Sequence, residues 1–133
     1  MATGPSNKKY KLNTILIPVS IKDKITIIKD GKEFDIYFNQ IAYIEYSLRD
    51  TTIYLNNNSK IKLSEKSLSL LSKELDERFY QINRNIIINL DMEPIYNKGT
   101  VKINHNEFQV SRRNQKDLKI KILERSIYNA RNI

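Results

Sequence analysis

Apolar residues in this chain come in short runs rich in β-branched and aromatic side chains, and turn-forming residues separate the runs. Runs of this length and composition are typical of β-strands. The pattern predicts ten strands, over residues 15–19, 25–28, 34–38, 41–46, 51–55, 61–63, 86–90, 94–96, 101–103 and 108–110. Because most connections are short, we expect consecutive hairpins and a mainly antiparallel arrangement.

Three connections contain residues that favour tight turns. Asp30-Gly31 suits a hairpin turn with positive φ, and the segment 97–99 ends on a second glycine. The segment 104–106 places His105 between two asparagines, which also tolerate positive φ. These positions predict three hairpin turns.

One segment has helical rather than alternating spacing. Its apolar residues recur every three or four positions and would share one face of a helix: Leu68, Leu71, Leu75 and Phe79. The helix is predicted to begin at an N-cap, Ser64 or Ser67, and to end near residue 77. We expect its apolar stripe to lie in the core.

A second helix is predicted over residues 114–129. The same segment also contains Leu118, Ile120 and Ile122, which alternate as they would in a strand. Both interpretations are open from the pattern alone.

Length and composition favour one domain. The chain has 133 residues, and residues 1–12 are polar, which predicts a flexible lead or linker before a domain at 13–133. The chain has no cysteine, which excludes disulfides and thiolate metal sites and agrees with a cytoplasmic location. It has no apolar run of signal-peptide or membrane-spanning length, so we expect no membrane association.

Charge favours a polyanionic partner. The net charge is +8, and residues 111–133 hold seven Lys and Arg against two acidic residues. Basic segments of this kind are typical of nucleic-acid-binding domains. The alternative is an ordinary solvated surface in a chain rich in Lys and Asn.

Catalytic and metal chemistry find little support. The only histidine, His105, falls in a predicted turn, and the three glycines form no phosphate-binding loop. Glu45 and Asp50, or Asp76 and Glu77, are more simply explained as residues at strand and helix ends. We therefore predict no enzymatic activity, no catalytic residue, no metal and no cofactor.

Two polar segments next to apolar strands carry the candidate chemistry. In residues 108–113 strand alternation points Arg113 outward and leaves Arg112 on the inward phase, unless the strand ends before Arg112. Arg113 is the stronger candidate for a base contact, with a surface salt bridge as the alternative for each arginine. In the segment 83–85, Arg84 could read guanine, and Asn83 and Asn85 could read adenine. The alternative for these asparagines is an Asx-type turn.

The same two segments resemble a known family. The stretches FYQINRNIIINLD at 79–91 and VSRRN at 110–114 are similar to F-x-R-I-H-R-S-x-I-V-N-L and V-S-R-R of the LytTR DNA-binding domain of bacterial transcription regulators. Residues 40–45 resemble its I-x-Y-I-E strand and residues 67–71 its S-L-K-E-L helix, so the similarity extends over roughly residues 22–123. The chain differs from the signature at Gln81, Asn83 and Asn85, and these positions bear on the operator sequence.

The resemblance implies a fold and a function. The expected fold is mainly β, with about ten short antiparallel strands in an elongated arrangement of small sheets and one or two flanking helices. The implied function is sequence-specific binding of double-stranded DNA by a response regulator of a two-component system, with loops reading successive major grooves of promoter direct repeats. A receiver domain, or a second copy on the adjacent repeat, is the implied protein partner.

The resemblance also assigns roles to individual residues. It makes Arg84 the reader, with Asn83 as its neighbour, and places a third contact at Arg49. In the basic C-terminal segment, Lys116 and Lys119 are candidate phosphate contacts. The alternative class is a protein-interaction module that adds a strand of a partner to an exposed β-edge without binding DNA.

Overall fold

The computed structural model describes residues 22–64 and 68–131. In this part of the chain there are ten strands: β1 Lys24–Lys29, β2 Lys32–Tyr37, β3 Ile41–Ser47, β4 Asp50–Leu55, β5 Lys60–Ser64, β6 Phe79–Asn83, β7 Ile86–Asn89, β8 Ile95–Asn97, β9 Thr100–Ile103 and β10 Asn106–Gln109. The two α-helices are α1 Leu68–Ser72 and α2 Arg112–Arg131, and short 3-10 turns cover Phe38–Gln40 and Leu90–Met92.

The strands form three small sheets. β1 pairs with β2, five strands follow the order β5-β4-β3-β7-β6, and three follow the order β10-β9-β8. Every pairing is antiparallel. The predicted mainly β fold of small antiparallel sheets with flanking helices is confirmed.

The predicted strands from residue 25 onward correspond to observed strands, and the three predicted turns lie where they were expected. Asp30 and Gly31 have φ of 54° and 76°, Lys98 and Gly99 have φ of 48° and 85°, and Asn104 has φ of 56°. The predicted strand at 15–19 and the predicted lead at 1–12 lie outside the described residues. Strand β6 was not predicted.

The first predicted helix was too long. Helix α1 ends at Ser72, and Phe79 begins strand β6. After Ser72 the backbone N–H groups of Glu74 and Leu75 bond carbonyls only three residues back, those of Leu71 and Ser72. Further on, the Asp76 carboxylate accepts a hydrogen bond from the Arg78 backbone N–H at 3.1 Å, which favours a turn over a continued helix. Leu75 and Phe79 nevertheless pack on the predicted core, from a loop and a strand. Ser64, one predicted N-cap, is the last residue of β5, and Ser67, the other, lies outside the described residues.

The second predicted helix is confirmed as α2. Leu118 is fully buried and Ile120 is 46% exposed. This contrast is expected of a helix, in which residues two positions apart lie on different sides.

The five-stranded sheet lies between two hydrophobic clusters. On one face Ile44 and Ile87 pack with β1, β2 and α1. On the other face Ile86 and Ile88 pack with the three-stranded sheet and with Leu118 of α2. Burial of both faces explains why the segment 86–88 is uninterrupted isoleucine rather than alternating.

An ion pair holds the C-terminal half of α2 against the 3-10 turn at Leu90–Met92. Arg125 Nε donates to Asp91 Oδ1 at 2.7 Å and Arg125 Nη2 to Asp91 Oδ2 at 3.2 Å. Asn129 Nδ2 also donates to Asp91 Oδ1, at 2.8 Å. Burial raises the pKa of Asp91, but the hydrogen bonds from Arg125 and Asn129 outweigh it, so this pKa lies below its ordinary value.

Asp91→Asn is expected to lower the free energy of unfolding at neutral pH by roughly 1–3 kcal/mol, because it removes charge-assisted bonds to a partly buried arginine. A depressed pKa stabilises the fold above the unfolded value of about 3.9, and this contribution is lost as the pH falls through the folded pKa. The difference between wild type and variant should therefore shrink below about pH 4. Urea unfolding at several pH values measures it. Glu124→Gln, which removes the exposed Glu124–Lys121 pair, is the control and should change little. A pH-independent difference for Asp91→Asn would contradict this account.

Candidate nucleic-acid interface

Two segments that are distant in sequence, the β6–β7 turn and the connection between β10 and α2, meet at one end of β6. The Ser111 backbone N–H donates to the Ile82 carbonyl at 2.9 Å. The Asn83 amide Nδ2 donates to the Gln109 carbonyl at 2.7 Å. These bonds join the β6–β7 turn, which carries Arg84, to the connection between β10 and α2.

A β-bulge in β6 provides the anchor for this junction. The register of β6 on β7 shifts between Gln81 and Asn83, which leaves Ile82 without a partner residue. The Ile82 carbonyl instead accepts bonds from the start of α2: besides the Ser111 N–H, Asn114 Nδ2 lies at 3.3 Å. Asn114 Nδ2 also donates to Ser111 Oγ at 2.7 Å. The first turn of α2 is therefore held directly against the strand that leads to Arg84.

The junction forms an open polar cleft of about 660 Å³, and its lining residues are Gln81, Asn83, Arg84, Ser111, Arg113 and Asn114. The two arginines are exposed, and the other four side chains are neutral. A cleft with two cations and no carboxylate in its lining attracts anions and can offer guanidinium donors to phosphate or guanine.

The position of Arg112 and Arg113 differs from the strand-end prediction. Strand β10 ends at Gln109, and both arginines lie in the first turn of α2. Val110 is buried and Gln109 exposed as predicted, and Arg112, which lies beyond the end of the strand, is exposed. The alternation rule fails here because successive residues of a helix are about 100° apart. Arg113 lines the cleft and Arg112 does not.

Arg112 belongs to a different face of α2. Arg112, Lys116 and Lys119 are spaced by four and three residues and share one exposed face of the helix. The Lys119 ammonium lies 5.6 Å from the centroid of the Tyr96 ring, on the side of the three-stranded sheet. The helix therefore presents a basic strip beside the cleft.

The tip at 83–85 is an Asx turn. Asn83 Oδ1 accepts from the Asn85 backbone N–H at 2.8 Å, while its Nδ2 holds Gln109. For Asn83, the Asx turn that was the alternative to base reading is therefore the one observed, and its amide already has two partners within the protein. Arg84 and Asn85 have exposed side chains.

Arg49 lies on a neighbouring hairpin at the same end of the five-stranded sheet. The β3–β4 hairpin has a two-residue loop, Leu48 and Arg49, closed by the pair Ser47 and Asp50. Strand β3 runs antiparallel to β7, and the Tyr46 backbone N–H donates to the Asn85 carbonyl at 2.8 Å. Arg49 and Arg84 therefore project from the same end of the sheet.

The residues that build this junction could not be predicted from the sequence. Nothing in the sequence pattern indicates that Ser111 and Asn114 bond the Ile82 carbonyl, or that Ile82 forms a bulge, because these bonds link segments about thirty residues apart. The pattern does indicate the polar tip at 83–85 and the arginine pair at 112–113. The residues considered for catalysis or metal binding are not among the lining residues of the cleft. His105 is exposed in the β9–β10 turn, and Asp50 pairs with Lys62 at 3.3 Å.

Two further properties concern residues 22–64 and 68–131. Within these ranges the Asp, Glu and His side chains form no group of three or more that could hold a metal ion. Within the same ranges neither helix is long and apolar enough to cross a membrane.

The fold and the motifs agree with comparisons to known proteins. The sequence model of the LytTr DNA-binding domain matches residues 31–123. A solved structure, the LytTr DNA-binding domain of a protein described as a methyl-accepting/DNA response regulator from Bacillus cereus, superposes with a TM-score of 0.59 at 16% identity and covers 76% of this chain and 97% of that chain. A search of curated proteins gives no match. The chain belongs to the LytTR family of DNA-binding domains.

Proposed function

We propose that this chain binds double-stranded DNA in a sequence-specific manner as part of a transcription regulator. The observation that carries the proposal is the cleft at the junction of β6 and α2, where Arg84 and Arg113 line one surface without a lining carboxylate. Arginine can bind O6 and N7 of guanine through two parallel hydrogen bonds in the major groove. Hydrogen bonds on both sides of the cleft hold the backbone that carries the two arginines, so less backbone entropy is lost on binding.

The basic residues fall into two groups according to whether they lie at the cleft and the neighbouring hairpin or along one face of α2. Arg84 and Arg113 read bases, and Arg49 makes a third contact from the neighbouring hairpin. Arg112, Lys116 and Lys119 contact phosphates along one face of α2. Asn85 lies beside Arg84 and can contact a base edge or the backbone. Asn83 holds the turn that presents Arg84, because its amide bonds Gln109 and Asn85.

Genome-scale discrimination requires more base contacts than one small domain makes. We therefore propose that two copies occupy direct repeats in promoters and that loops of each copy enter successive major grooves. A receiver domain in the same regulator, or the second copy on DNA, is the proposed protein partner. The proposed location is the cytoplasm, and the proposal includes no catalytic role.

The direct test is selection of preferred duplexes from a random library, followed by anisotropy titrations across salt concentrations. We expect a selected duplex to bind at least tenfold more tightly than random duplex. The logarithm of the binding constant should fall linearly with the logarithm of salt concentration, with a slope set by the number of phosphates contacted. Absence of any preferred duplex, together with weak salt dependence, would instead support the β-edge interaction module.

Arg113→Ala and Lys119→Ala are expected to weaken binding in different ways. Loss of Arg113 should cost roughly 1–3 kcal/mol on the selected duplex and much less on random duplex, because a base contact carries sequence information. Loss of Lys119 should weaken both duplexes alike and lower the salt slope by about one unit, because a phosphate contact does not depend on sequence. Titration of both variants on both duplexes measures the contrast. Equal weakening of the two duplexes by Arg113→Ala would identify Arg113 as a phosphate contact.

A further inference from the structure

The loop of the β3–β4 hairpin contains two residues that its backbone does not favour. Leu48 and Arg49 both have positive φ, 53° and 73°. Two-residue hairpin loops with this geometry favour Asn-Gly, because in the left-handed region the Cβ of most L-residues lies too close to the following carbonyl oxygen. The backbone of the hairpin therefore does not explain why leucine and arginine occupy these positions.

Packing does not explain Leu48 either. Its side chain is 93% exposed, more than the other large hydrophobic residues that the described chain leaves at its surface. Other exposed aliphatic side chains lie away from this hairpin, such as Ile28 on β1, which is 74% exposed, and Leu123 on α2, which is 62% exposed. Leu48 makes no contribution to either hydrophobic cluster.

The position of Leu48 suggests a role at the interface with DNA. The hairpin tip projects from the end of the five-stranded sheet that also carries the Arg84 turn, and the two are joined by the bond from Tyr46 N–H to the Asn85 carbonyl. A side chain at this tip next to Arg49 would enter the groove with the arginines. The major-groove edges of the bases offer one apolar group, the C5 methyl of thymine.

We infer that Leu48 is a specificity-determining residue that packs against a thymine methyl group. The inference rests on the proposed function and adds to it a base contact that is apolar. Arg49 beside it binds a guanine edge or a phosphate. The chain should therefore prefer a T·A pair at one position of its site for the methyl group rather than for a hydrogen bond.

Replacement of single thymines by deoxyuridine in the selected duplex tests the inference, because it removes the methyl and keeps every hydrogen-bonding group. For the wild-type chain, one such replacement should weaken binding about fourfold, the value of one buried methyl group. Leu48→Ala should bind the thymine and uracil duplexes equally. Leu48→Asn should do the same, and because asparagine suits positive φ it keeps the hairpin folded.

Ile28→Ala is the matched control, since it removes an exposed aliphatic side chain from β1 and should retain the full uracil effect. If no thymine replacement weakens the wild-type chain, or if both Leu48 variants keep the uracil effect, the inference is wrong. In either case a retained sequence preference would leave the proposed function standing. If no preferred duplex can be selected at all, the proposed function and the inference fail together.

Discussion

Phe38→Ala is expected to lower the free energy of unfolding by roughly 3–5 kcal/mol, the usual cost of removing a fully buried aromatic side chain. Phe38 is 0% exposed and packs between the five-stranded sheet and the β1–β2 sheet. Its ring meets Phe79 edge to face at 5.3 Å, and the Arg78 guanidinium lies 5.2 Å from its centroid. Truncation would leave a cavity at the junction of two sheets and α1.

Chemical denaturation of two comparison variants measures how far burial determines this effect. Phe79→Ala should cost less than Phe38→Ala, because Phe79 is only partly buried at the edge of the same cluster. Leu123→Ala removes a side chain that is 62% exposed and should change stability by less than about 0.5 kcal/mol. Equal losses for Phe38→Ala and Leu123→Ala would show that the cluster around Phe38 is not the stabilising core.

Removal of both arginines of the cleft is expected to have the largest effect on DNA binding. The double variant Arg84→Ala/Arg113→Ala should lose roughly 2–6 kcal/mol on the selected duplex, since each bidentate base contact contributes about 1–3 kcal/mol. This corresponds to a Kd increased about 30-fold to more than 10⁴-fold. The loss on random duplex should be much smaller, because there only the general attraction of two positive charges disappears.

A double variant with the same change in charge provides the control. Lys32 and Lys60 are exposed and lie outside the lining of the cleft, and Lys60 pairs with Tyr54 near the opposite end of the sheet. Lys32→Ala/Lys60→Ala should weaken both duplexes slightly and leave the preference between them unchanged. Anisotropy titration of both double variants at one salt concentration measures the difference. Similar losses in the two double variants would mean that net charge, and not the cleft, determines binding.

Most strands could be predicted because their signals are local. β-branched runs separated by turn residues identify β1 to β5 and β7 to β10, and Asp30-Gly31 fixes the first hairpin. Strand β6 gave a weaker signal: its five residues include exposed Gln81 and the bulged Ile82. Phe79, at its start, continued the helical spacing of the preceding leucines. Local spacing therefore extended to residue 77 a helix that ends at Ser72.

The candidate site could be predicted in part. Arg84 and Arg113 stood out because each lies in a polar segment next to an apolar strand. Their convergence depends on tertiary bonds, such as Ser111 N–H to the Ile82 carbonyl, and no local pattern indicates it. The orientation of Arg112 depended on where the strand ends, which the sequence pattern left open. The chain changes from strand to helix between Gln109 and Arg112, so strand alternation does not apply to Arg112.

Under the proposed function, Arg113, presented at the cleft by the first turn of α2, reads a base of duplex DNA together with Arg84. The most direct measurement is to repeat the duplex selection with Arg113→Ala and compare the base preferences with those of the wild-type chain by sequencing. We predict that the variant loses the preference for guanine at one position and retains the preferences at the others. An unchanged set of base preferences, or a uniform loss at all positions, would contradict the claim.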